Sequence, residues 1–156
     1  MLPWNRGSQA ESPKDFWTHT GEKRGGEVGF VSFATFLGQS GDRSRGLPGL
    51  LYTVGDTVWF EDFERDNWLA KIIAPRQKYE KTELSFAISA VAFTRAVSRR
   101  RASACIGGFV SPDSLNPLGA LGRLFLSPVL QIALESGPSL FMEVLMLKEL
   151  RAILKK

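Results

Sequence analysis

Four arginines, Arg95, Arg99, Arg100 and Arg101, fall within seven residues near the end of an apolar segment. Guanidinium groups at that density create a local positive field and bind phosphate or carboxylate oxygens in bidentate fashion. Near an anionic membrane each adds about 1 kcal/mol of attraction. The same charges at a strand end also discourage edge-to-edge pairing with another chain. The partner classes that fit are an acidic protein, an anionic lipid surface and, third, nucleic acid. Lys71, Arg76, Lys78 and Lys81 are candidate neighbours of the cluster. A nucleic-acid surface also wants aromatic rings among its basic groups, and none is interleaved among these arginines.

Catalytic groups are sparse. His19 is the only histidine and Cys105 the only cysteine. A nucleophile needs a base within hydrogen-bond reach, and His19 sits in a polar N-terminal stretch ill suited to holding one in place. Cys105, between Ala104 and Ile106, reads as a buried, inert thiol, because free cysteine behaves as a small hydrophobe. A zinc site built from nitrogen and sulfur ligands cannot be assembled from one of each. Glu61, Asp62, Glu64 and Asp66 cluster at a strand end, where paired carboxylates bind cations or do acid–base work. EF-hand spacing is absent and Arg65 interrupts the group, so a solvated hairpin tip is the simpler reading. Neither Gly38-Gln39-Ser40-Gly41 nor Gly107-Gly108 extends to a phosphate-binding loop. Gly119-Ala120-Leu121-Gly122 matches the Gly-x-x-Gly loop of KH domains only superficially, its middle residues being apolar.

The elements that would position these groups follow from composition and periodicity. At 156 residues, 44% of them hydrophobic, the chain suits one domain with a real core. Of eleven Phe and four Trp, seven cluster at 30–36 and 59–68, and each ring buries roughly 150–250 Å². A net charge of +4 is too mild for a dedicated nucleic-acid binder. A single cysteine gives no intramolecular disulfide and no sign of an oxidising compartment. The first six residues lack the apolar core of a secretory signal. The longest apolar stretch, Leu118 to Leu134, is broken by Arg123, Ser127, Pro128 and Gln131, whereas a membrane span needs about 20 mostly apolar residues. A soluble, cytoplasmic protein without a transmembrane segment is therefore expected.

Residues 1–26 are predicted to form a flexible or loosely docked arm, and 27–156 a single domain. Val28 to Leu37 is rich in aromatic and β-branched residues and predicts a strand with apolar groups on both faces. Gly38 to Gly49 reads as a loop. Leu50 to Val54 and Thr57 to Phe63 flank Gly55-Asp56, a hairpin signal. Trp68 to Ile73 predicts a further strand, stopped by Pro75. The alternation of Leu84, Phe86 and Ile88 resumes one residue out of phase at Val91, which predicts a bulge or corner near Ser89-Ala90. Residues 107–128, with four Gly and three Pro, carry no clear pattern. Val129 to Leu134 and Leu140 to Val144 predict a hairpin about Gly137-Pro138-Ser139. From Leu145 the period becomes helical, through Met146, Leu147, Leu150, Ile153 and Leu154.

The fold class expected is mainly β with a C-terminal α-helix: a small bent antiparallel sheet or partial barrel capped by one helix. The run Gly49-Leu50-Leu51-Tyr52-Thr53-Val54-Gly55-Asp56-Thr57-Val58-Trp59-Phe60 resembles a hairpin of the pleckstrin-homology-like superfold, including its GRAM-type and bacterial members. The kinked strand at 84–97 and the final hairpin plus helix fit the same plan over residues 27–156. The excursion at 107–128 is longer than that plan requires. The function expected is a non-enzymatic binding or scaffolding module, without cofactor or metal. Its Arg95, Arg99, Arg100 and Arg101 would contact an acidic protein or an anionic membrane. A nucleic-acid-binding β domain and a carboxylate-based enzyme are the alternatives. Oligomeric state is not legible.

Overall fold

The computed structural model describes residues 12–43, 45–63 and 82–155. Among the described residues there are seven strands: β1 (Val28–Gln39), β2 (Leu47–Val54), β3 (Thr57–Asp62), β4 (Glu83–Ala87), β5 (Val91–Val97), β6 (Val129–Leu134) and β7 (Leu140–Val144). The α-helices described with them are α1 (Pro13–Arg24), α2 (Arg99–Ile106), α3 (Ala120–Phe125) and α4 (Leu147–Leu154). The predicted strand at Trp68–Ile73 lies outside the described residues.

The strands form one antiparallel sheet in the order β4-β3-β2-β1-β7-β6-β5. Its two edge strands, β4 and β5, are consecutive in sequence and joined by a single tight turn, Ile88–Ala90. That turn draws the edges toward each other and curls the sheet into a half-barrel. It falls at the corner predicted from the phase slip at Ser89-Ala90. Side chains from all seven strands meet on the concave face, among them Phe36, Leu51, Phe60, Phe86, Val91, Ile132 and Met142.

The fold is thus mainly β with a C-terminal helix, as the periodicity indicates. Helix α4 turns Leu150 and Leu154 into the concave core, which stabilises by roughly 1.5–3 kcal/mol per side chain. It starts two residues later than predicted. Met146 instead donates its N–H to Ser32 Oγ at 3.1 Å, and Leu145 stays exposed. The hairpin at Gly55-Asp56 forms as expected, with Gly55 at φ 57°. β2 begins earlier than predicted, at Leu47, because Phe36 pairs with Leu47 across the ladder and shortens the loop.

Two other segments depart from the sequence reading. Within the predicted arm, Pro13–Arg24 is a regular helix, capped by Ser12 accepting the Asp15 N–H at 3.2 Å. Residues 99–101, predicted to end a strand, open α2 instead. Ser98 is its N-cap, and Ala102, Cys105 and Ile106 form its buried stripe. This stripe joins Leu37, Val97, Leu115, Val129 and Phe141 in a second core on the convex face.

Candidate functional site

α2 places Arg99, Arg100 and Arg101 at its first three positions, all exposed. The Ser98 side chain accepts the Arg101 N–H at 3.3 Å and starts the helix. A helix N-terminus carries partial positive charge, so cations there cost about 0.3–1 kcal/mol each. Arg99 offsets part of this through an ion pair with Glu143 of β7 at 2.9 Å. Arg100 and Arg101 have no ion-pair partner among the described residues.

Arg95 does not join this group. It lies on β5, half-buried, with Cζ 4.6 Å from the Phe93 ring, and it donates to the Leu115 carbonyl. Beside it the buried Gln131 donates to the Pro112 carbonyl at 3.0 Å and to Ser139 Oγ at 3.3 Å. Both side chains tie the 107–118 segment to the sheet, which is a structural duty. Lys71, Arg76, Lys78 and Lys81 lie outside the described residues.

The segment after α2 supplies what the sequence reading missed. Arg99 and Arg100 line a depression of about 340 Å³ together with Ser98, Leu126, Ser127 and Glu143. Leu126 directly follows α3, which carries Arg123 in its last turn and buries none of its six residues. Leu121, Leu124 and Phe125 are 74%, 75% and 82% exposed. Ser127 and Glu143 also line an adjoining open groove of about 610 Å³, walled by Phe33, Phe63, Pro128 and Leu145. Arg99 and Arg100 therefore border Leu126 and, through Ser127 and Glu143, the apolar groove beyond it. The signals were present in the sequence: a Ser N-cap before the arginines, Ala102/Cys105/Ile106 at helical spacing, and Leu-Phe-Leu in a polar-poor loop.

The carboxylates serve another purpose. Glu61 accepts from Arg24 Nη2 at 2.7 Å and from the Tyr52 hydroxyl at 2.5 Å. Glu83 accepts from the same Nη2 at 2.9 Å. Burial, then the hydrogen bond to Glu61, pushes the Tyr52 hydroxyl up to about 12. The Arg24 guanidinium is held charged even more firmly than usual, chiefly by Glu83. This cluster fastens α1 to the convex face of the sheet. Asp62 is buried at the end of β3, and Glu64 and Asp66 lie outside the described residues. Cys105 is buried in the second core, where desolvation and then the Asp113 charge raise its pKa. His19 is exposed on α1. Among the described residues, no group of three or more His, Cys, Asp or Glu is arranged to hold a metal ion, and no helix is long and apolar enough to cross a membrane. Comparison with protein-family models, curated proteins and solved structures returned no match.

Proposed function

We propose that the protein is a non-enzymatic binding module that engages an anionic surface through Arg99, Arg100 and Arg101. One observation carries this reading. Three arginines occupy the helix positions where the dipole favours acids, and two of them have no ion-pair partner among the described residues. Sites that break a local stability rule without a compensating contact are where function is expected to reside. Arg123 lies in the last turn of α3, three residues before Leu126, which lines the depression with Arg99 and Arg100. The single cysteine favours a reducing compartment, in keeping with a cytoplasmic module.

Three features support a pleckstrin-homology-like plan: the half-barrel, the short corner between β4 and β5, and the terminal helix seated in the concave core. The long β5–β6 connection, bearing α2 and α3, is this chain's own elaboration of that plan.

Retention on immobilised poly-glutamate tests the reading. Wild type is expected to bind and to elute with rising salt, since exposed charges are screened beyond about 10 Å at 0.1 M. An Arg100→Glu/Arg101→Glu variant, shown folded by circular dichroism, is expected to pass through. Equal retention of the two would sink the assignment.

A further inference from the structure

The partner class can be narrowed from the segment that borders the arginines. α3 has six residues, no side-chain N-cap and no buried side chain. Isolated helices shorter than about 12–15 residues are marginal in water, so neither local propensity nor packing on the domain accounts for it. Its large side chains, Leu121, Leu124 and Phe125, point away from the domain, and Leu126 continues their surface. A helix of this kind gains stability when a second apolar phase covers it.

Charge identifies that phase. From Arg99 to Pro128 the chain holds four arginines and a single acid, Asp113. Glu143, the acidic side chain lining the depression, is paired with Arg99. The uncompensated surface is thus apolar at its tip and cationic at its base. A second copy would bring arginines against arginines. Protein interfaces carry a polar rim that sets register, whereas Leu118 to Pro128 offers only Arg123 and Ser127 as polar side chains. A bilayer needs no register, only depth and negative charge.

We infer that α3 is a membrane-insertion tip: Leu121, Leu124, Phe125 and Leu126 enter the acyl boundary of an anionic bilayer while Arg100, Arg101 and Arg123 hold its headgroups. This rests on the anion-binding reading above and adds insertion to it. Two weak signals, apolar burial and basic charge, combine to give reversible attachment. The lipid recognised is any anionic glycerophospholipid surface; no headgroup pocket is invoked.

The experiment uses the full chain with vesicles of phosphatidylcholine alone or mixed with phosphatidylserine. Co-sedimentation is expected with the mixed vesicles and to be at least about fivefold weaker without phosphatidylserine. A Leu124→Ser/Phe125→Ser variant is expected to lose at least about tenfold in partition while still binding poly-glutamate. Because both side chains are exposed, the fold survives the change. A Leu124→Cys variant labelled at the introduced thiol with an environment-sensitive fluorophore gives an independent readout, since Cys105 is buried. Its emission shifts to the blue on mixed vesicles if the tip inserts. Unchanged emission, or equal sedimentation of wild type and the double serine variant, overturns insertion. Binding to poly-glutamate but not to vesicles overturns it too and leaves the anion-binding reading standing. Binding to neither removes both.

Discussion

The guanidinium carbon of Arg24 sits 3.8 Å from the centroid of the Trp59 ring, at the point where the end of α1 meets β3. The same side chain holds Glu61 and Glu83, while Trp17 meets Tyr52 edge-on at 5.5 Å. α1 has hardly any apolar stripe of its own, so these few contacts hold it. Arg24→Met is expected to lower stability by about 2 kcal/mol, because removing one partner strands carboxylates at a partly buried site. Native-state amide exchange should quicken across 13–24 and stay slow in β6 and β7. Uniform quickening across the sheet would show that α1 is part of the main cooperative unit.

The Tyr52 hydroxyl, raised from 10.0 to about 12 in the folded protein, links stability to alkaline pH. A raised folded pKa means that the unfolded chain loses this proton first. The contribution is therefore complete below pH 10 and falls away as pH rises through about 12. Denaturant midpoints measured from pH 9 upward should drop across that window. Tyr52→Phe should cost about 1 kcal/mol at neutral pH, from the lost bond to Glu61, and flatten the drop. An unaltered drop in the variant would assign the alkaline limb to another group.

Gly49 of β2 faces the β3 backbone at Glu61 and Asp62 with no room for a side chain. A Cβ there would collide with the Glu61 carbonyl oxygen and lie 2.8 Å from both Asp62 Cα and Phe60 Cζ. Gly49→Ala is expected to cost more than about 2 kcal/mol by forcing β2 and β3 apart at this pair. Chemical denaturation of the variant checks it. A loss of no more than about 0.5 kcal/mol, the ordinary surface range, would mean that the ladder yields easily.

What the sequence reveals here is local. β6, β7 and their turn are legible because alternation and Gly137-Pro138 are short-range signals. The corner at Ser89-Ala90 is legible because a slip of one residue changes the face that side chains take. The pairing of β1 with β7 spans about a hundred residues and leaves no local trace. α1 escapes a periodicity test because four side chains dock it rather than a stripe. α2 escapes because its arginines disguise the Ser98 cap and the stripe beneath it. At the candidate site both halves are visible in the sequence, the arginines and Leu124-Phe125-Leu126, whereas their juxtaposition appears only when Leu126 and Arg100 are found lining one depression.

Arg100 and Arg101 occupy the second and third positions of α2, and this gives the sharpest test of whether they are held in reserve for a partner. An acid at the third position after a Ser N-cap completes a capping box, its carboxylate reaching back to the cap N–H. Arg101→Glu would build that motif on the existing Ser98–Arg101 bond, and Arg100→Glu would answer the dipole one residue earlier. The double change is therefore expected to raise stability by about 0.5–2 kcal/mol while abolishing retention on poly-glutamate. Greater stability with lost binding is the signature of residues kept for function at a cost to the fold. If the variant is instead less stable, the arginines serve the fold through contacts of their own, and the surface they form is not reserved for a ligand. Thermal melts of wild type, both single variants and the double variant separate the cases, with the single variants showing whether the two gains add.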